Sequence, residues 1–193
     1  MNVIKKTVLL LLFIMVIVNF IMVTDINETD IVEKEICIKT EETKIEEKET
    51  TNSQYENISN KTNLPYSVVV TIFEEANKYN INPNLLLSLI EVESNFEYLA
   101  DNGIAAGLCQ INYKDSTAKW LWSKIFPNET YKKDKLFDPH KNIKLGAYYI
   151  SYLLKRFNND YHKALTAYNR GPSKVVSRSK YSERVLKGMK EYK

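Results

Sequence analysis

The sequence predicts an all-α, mainly helical domain behind an N-terminal apolar segment and an acidic linker. Apolar residues recur at helical spacing in six separate stretches, and none alternates with period two for long enough to argue a sheet. A change of composition near residue 62 then divides the chain into 1–23, 24–62 and 63–193.

Lys5 and Lys6 precede Thr7 to Val23, a run of seventeen residues without charge. That length sits at the lower edge of what crosses a bilayer as a helix. Lysines in front favour an N-terminus held on the cytoplasmic side, so everything beyond Val23 is expected outside. An uncleaved transmembrane anchor is the expectation, and a cleaved signal peptide the alternative. No alanine occurs before Ala76, so an A-x-A-like cleavage site is absent.

Residues 24–62 hold eleven acidic residues against five lysines, with no Gly, no Pro and one aromatic. Such a stretch buries too little apolar surface to offset its ordering entropy, so a disordered tether is expected. From Asn63 onward there are 20 basic and 13 acidic residues, a charge of +7 against −6 for the tether. A basic domain outside the membrane suits a polyanionic target and argues against nucleic acid. Cys37 and Cys109 fall in different segments and read as two unrelated thiols. His140 and His162 have no Cys or carboxylate at ligand spacing, so neither a metal nor another cofactor is expected.

Within the domain, Pro65 opens a stripe of Val69, Ile72, Phe73 and Ala76. Asn82-Pro83 offers an N-cap and a first-turn proline for a second helix running toward Glu93. Ala118, Leu121, Trp122 and Ile125 repeat the pattern, as do Ile143, Ala147, Ile150 and Leu154 between Lys141 and Asn158. Tyr161, Ala164, Leu165 and Tyr168 form another stripe, and Tyr181, Val185 and Met189 the last. Trp122 lies on its stripe and reads as core, whereas Trp120 is the better candidate for a surface role.

On a wheel of about 100° per residue with Leu86 at zero, Leu85, Leu87, Leu89 and Ile90 fall on one side. Ser88 and Glu91 lie opposite, at roughly 160° and 140°, which predicts that Glu91 faces water. Glu93 falls about 20° from zero, inside the apolar arc. A carboxylate there loses hydration and its pKa rises, which keeps an acid protonated near neutral pH. A buried glutamate held by a structural hydrogen bond is the bland alternative.

Three motifs follow in order: Glu93-Ser94-Asn95-Phe96, Gly107-Leu108-Cys109-Gln110-Ile111 and Ala167-Tyr168-Asn169-Arg170-Gly171. Together they resemble the soluble lytic transglycosylase family, whose catalytic domain is similar to goose-type lysozyme. Asp138-Pro139 with Asn142, Ile143 and Gly146 extends the resemblance, which runs from about Ser67 to Val185. The sequence departs from the family in having Ile104 where a glycine is usual, with Gly103 one place earlier, and Cys109 where Met is usual.

The resemblance implies a lysozyme-like fold and peptidoglycan glycan strands as substrate. It makes Glu93 the sole catalytic acid/base. Gln110 and Tyr168 would meet the saccharide, with the Tyr168 hydroxyl orienting Glu93. Ser94 and Asn169 would shape turns beside the substrate. It further implies cleavage between N-acetylmuramic acid and N-acetylglucosamine with a 1,6-anhydro product. A hydrolytic muramidase remains the alternative, with Asp101 as the base to test, and so does a wall-binding component of a secretion or conjugation machine. The expected location is the cytoplasmic membrane, spanned once, with the domain on its outer side.

Overall fold

The computed structural model describes residues 10–18, 38–39 and 50–192, and the chain divides into two units, Met1–Asn52 and Ser53–Lys193. In the first unit, residues 10–18 form a helix, α1, whose side chains from Leu10 to Val16 and Val18 are exposed. Among the described residues no helix is long and apolar enough to cross a membrane. Much of the expected anchor, residues 1–9 and 19–23, lies outside them, as do Cys37 and most of the expected tether.

The second unit is helical, as its stripes predict. After α2 (50–62) come α3 (Tyr66–Lys78), α4 (Pro83–Ser94), α5 (Thr117–Ile125), α6 (Pro139–Arg156), α7 (Tyr161–Arg170) and α8 (Lys180–Gly188). Short 3-10 turns cover Lys133–Phe137 and Met189–Tyr192. Asn82 caps α4 as expected, accepting a hydrogen bond from the Asn84 N–H at 2.9 Å; Asp138 caps α6, accepting from the Lys141 N–H at 3.1 Å, so that helix starts at Pro139, ahead of the expected Lys141. Two strands of two residues each, β1 (Ala105–Ala106) and β2 (Ile111–Asn112), pair antiparallel. Elements that short leave no period-two trace in the sequence.

The compact unit begins at Ser53, ahead of Asn63. Ile58 is 4% exposed, and the Tyr55 ring packs 4.5 Å from that of Phe73. Averaged composition conceals these two apolar residues at i, i+3, one helical face that docks on α3. Thr62 and Ser59 close the helix onto the following turn, donating to the carbonyls of Ile58 and Leu64.

Helix α4 is the centre of the core. Leu85 to Ile90 are all buried, six residues in succession, with α3 on one side and α8 and the C-terminal turn on the other. Over these six residues the helix is covered all round, so the polar side expected at Ser88 is absent there. Ser88 is fully buried and donates to the Val185 carbonyl at 2.7 Å. α8 comes this close because residue 188 is glycine: a Cβ there would lie 2.3 Å from the Ser88 Oγ.

Candidate active site

Glu93 stands in the last turn of α4. The chain leaves it through two consecutive left-handed residues, Asn95 at φ 51° and Phe96 at φ 64°. Asn tolerates this conformation, but a bulky Phe is strained there. Packing over-determines the turn: the Asn95 N–H bonds to the Glu91 carbonyl at 2.9 Å, and Tyr192 meets Phe96 edge-on at 6.3 Å. The sharp exit folds residues 97–110 back across the end of α4. Ser94 donates back along α4 to the Ile90 carbonyl at 3.1 Å.

The returning loop is held at three points. Asp101 accepts from Lys133 at 2.7 Å, from Tyr113 at 2.8 Å and from the Gly103 N–H at 2.9 Å. The Asn102 side-chain oxygen, Oδ1, accepts from the N–H groups of Ile104 and Ala105. Deeper, the buried Asn142 side chain accepts from the Cys109 N–H at 2.7 Å and donates to Ala106 and Leu136 carbonyls at 3.0 and 2.8 Å. Gly107, at φ 79°, lies against this clamp; a Cβ would come within 2.2 Å of the Asn142 amide nitrogen. The clamp positions Gln110, at φ 45°, whose amide donates to the carbonyls of Gly107 and Ala100.

Two cavities meet at this point. One, of about 720 Å³, is lined by Glu91, Ser94, Asp101, Arg184 and Glu191 among others. The second, of about 310 Å³, is lined by Ile104, Asp115, Thr117, Tyr149, Tyr168 and Asn169 among others. Glu93, Asn102 and Gln110 belong to both, so they are two lobes of one cleft with Glu93 at the junction. All five expected site residues line this cleft.

The hydroxyl that bonds to Glu93 is not the one expected. The Tyr168 hydroxyl donates to the Cys109 carbonyl at 2.8 Å, supporting the Gly107–Gln110 turn rather than Glu93. The hydroxyl that donates to Glu93 belongs to Tyr181, in the first turn of α8. Sequence reasoning places Tyr181 on an apolar stripe with Val185, and nothing in that spacing separates it from a core tyrosine. α8 is fixed at this end by a capping box of Ser179 and Ser182.

Burial pushes the Glu93 pKa up to about 7, against the Tyr181 hydrogen bond and the Arg184 charge, which hold it down. The Tyr181 hydroxyl is itself raised well above its ordinary value, first by burial and then by the charge of Glu93, so it stays a donor. Asp101 behaves oppositely. Lys133, the Gly103 N–H and Tyr113 lower it to about 2. With its oxygens engaged by those donors, it is a loop clamp and a poor proton acceptor. Glu91 does not face open water: it is half-buried, accepts from the Tyr192 hydroxyl at 3.0 Å and lines the larger lobe. Among the described residues no three His, Cys, Asp or Glu side chains are grouped to hold a metal ion.

A family model described as a transglycosylase SLT domain matches residues 70–188. The membrane-bound lytic murein transglycosylase C of Salmonella typhimurium is 29% identical over 115 residues, covering 53% of this chain and 31% of that protein. Its namesake in Photorhabdus laumondii is 29% identical over 107 residues, covering 51% and 30%. The chain thus spans about a third of the length of these relatives. Among solved structures, a lytic transglycosylase Slt from Pseudomonas aeruginosa, an inactive glutamate-to-glutamine mutant, matches with a TM-score of 0.56 and 27% identity. That match covers 64% of this chain and 23% of the other.

Proposed function

We propose, since this chain belongs to the transglycosylase SLT domain family, that its helical unit is a lytic transglycosylase acting on peptidoglycan. The observation that carries the reading is Glu93: a carboxyl with a pKa near 7, at the junction of two lobes, bonded to one tyrosine. A glycan strand laid through the cleft has sugar on both sides of this acid. Protonated Glu93 gives its proton to the glycosidic oxygen between N-acetylmuramic acid and N-acetylglucosamine, and the bond from that oxygen to C1 of the muramic residue breaks. The carboxylate left behind takes the proton of the muramic 6-hydroxyl, whose oxygen closes on C1. Glu93 is restored, a 1,6-anhydro end forms and no water is consumed.

The internal nucleophile fits the cleft because it needs no second carboxylate, and the sugar's own hydroxyl is already tethered near C1. Asp101, the base first considered for a water-driven reaction, supports that alternative poorly because Lys133, Gly103 and Tyr113 hold it. Glu91 is the better-placed carboxylate for a hydrolytic rival. In this reading Gln110 offers its amide oxygen to the saccharide, and Tyr168 and Asn169 wall the smaller lobe. Ser94 keeps the exit turn in shape.

The finer statement on location is also proposed. The apolar run from Thr7 to Val23, with its lysines in front, anchors the enzyme in the cytoplasmic membrane with the catalytic unit outside. The exposed apolar side chains of α1 and the relatives' membrane-bound description support this. Digestion of purified peptidoglycan followed by mass analysis of the released muropeptides, with Glu93→Gln alongside, tests the activity. Release of 1,6-anhydro muropeptides by the parent and none by the variant is the expected result. Equal release by both would overturn it.

A further inference from the structure

We propose that Trp120, with Tyr148 and Tyr152 beside it, continues the smaller lobe as a platform for sugar rings of the same strand beyond the bond being cut. The inference rests on the cleft being a glycan site. Continuity with that lobe carries it. Asp115 and Thr117, at the start of α5, line the lobe, and Trp120 follows Thr117 by three residues, so both share a helix face. Tyr149 of α6 also lines the lobe, with its ring 5.0 Å from Tyr168 and 6.2 Å from Trp120. Beyond it, Trp120 lies 5.1 Å from Tyr152 and 6.0 Å from Tyr148. An unbroken row of rings thus leads out of the lobe along α5 and α6.

Tyr149 is a core residue, whereas Trp120, Tyr148 and Tyr152 pack against the core from its rim. Trp122 fills the core on the same helix as Trp120, 1% exposed and with its indole N–H donating to the Glu129 carbonyl at 2.9 Å. Trp120, Tyr148 and Tyr152 are each only half-buried. The three tyrosines around Trp120 meet it at 46° to 76°, and none lies parallel to it. Sugar rings present C–H faces bordered by hydroxyls, which half-wet aromatic rings with polar edges are suited to meet.

The test uses the full chain carrying Glu93→Gln, which is expected to bind without cutting. Binding to purified peptidoglycan sacculi is measured by co-sedimentation. Binding to a soluble tetrasaccharide of alternating N-acetylglucosamine and N-acetylmuramic acid is measured alongside. Adding Trp120→Ala should weaken sacculus binding roughly threefold to tenfold, the scale of one aromatic contact, and leave the tetrasaccharide unaffected. Trp120→Phe should recover most of the loss, and Tyr152→Ala should lose less in the same direction. Undiminished sacculus binding by both alanine variants, or equal losses on both ligands, would overturn the platform. So would a change in oligomeric state on light scattering with glycan binding unchanged, which would mark the patch as a self-contact. If Trp120→Ala does not fold by far-UV circular dichroism, Tyr152→Ala decides. A parent that binds neither ligand defeats the cleft reading and the platform with it. One that binds both, with both alanine variants undiminished, loses the platform alone.

Discussion

Tyr181 donates its phenolic hydrogen to the Glu93 carboxyl across 88 residues of sequence, joining the first turn of α8 to the last turn of α4. Burial raises the acid while this bond and the Arg184 charge lower it, so the Glu93 pKa of about 7 is a balance of all three. Tyr181→Phe removes the bond's lowering contribution and the orientation together. The falling limb of the pH–rate profile should move to higher pH, and kcat should drop on the order of tenfold. An unshifted limb would show that the contact does not govern the acid.

Glu93→Gln should abolish glycan cleavage, because the amide matches the shape of the acid but cannot transfer its proton. The same variant should change stability in a pH-dependent way. The folded pKa is raised from 4.5 to about 7, so the folded protein holds the proton more tightly. Stability fully present below pH 4.5 is therefore lost as the pH climbs through 7. The parent and the Gln variant should unfold alike near pH 4. At pH 8 the variant should be more stable by on the order of 3 kcal/mol, read from urea unfolding.

Muropeptides released by the parent should be about 18 mass units lighter than their hydrolysed counterparts, the mass of the water that is not added. Oxygen-18 from solvent should not enter at C1. If it does, water is the nucleophile, and Glu91→Gln should then abolish the reaction while Asp101→Asn spares it.

A protein begun at Ser53 should match the stability of the second unit in the full chain, whereas one begun at Asn63 should be less stable. The shorter form loses the buried Ile58 and the Tyr55–Phe73 contact. A cost on the order of 3 kcal/mol follows from removing that much apolar packing. Thermal unfolding of the two forms checks it; equal midpoints would return α2 to the tether.

The helices from α3 to α8, the Asn82 cap and the cleft position of Glu93 were legible because each rests on local spacing. Asn82 announces α4, and Glu93 lies in the apolar arc of α4 however α4 is later packed. The failures are tertiary. Ser88 and Glu91 share an arc that would be wet on an isolated helix, yet α8 and the C-terminal turn cover it, 97 and 101 residues away at the hydrogen-bonded contacts. Tyr168 and Tyr181 occupy similar stripes on neighbouring helices. Only the packing of α7 and α8 decides which hydroxyl reaches Glu93 and which supports the Cys109 carbonyl. The helix before Asn63 was hidden because a charge-rich average outweighed two well-spaced apolar residues.

Cys109 gives the cleft a chemical clock. Its side chain is fully buried, and a Cβ on Gly146 would come within 2.4 Å of its sulfur. Burial raises the thiol far above its ordinary pKa, so the thiolate that reacts with alkylating agents is suppressed. Labelling must then wait for the Gly107–Gln110 turn to open. In a protein begun at Ser53, Cys109 is the sole thiol. Its rate of alkylation in native buffer therefore counts excursions of the catalytic loop directly, with no probe added and no substrate present.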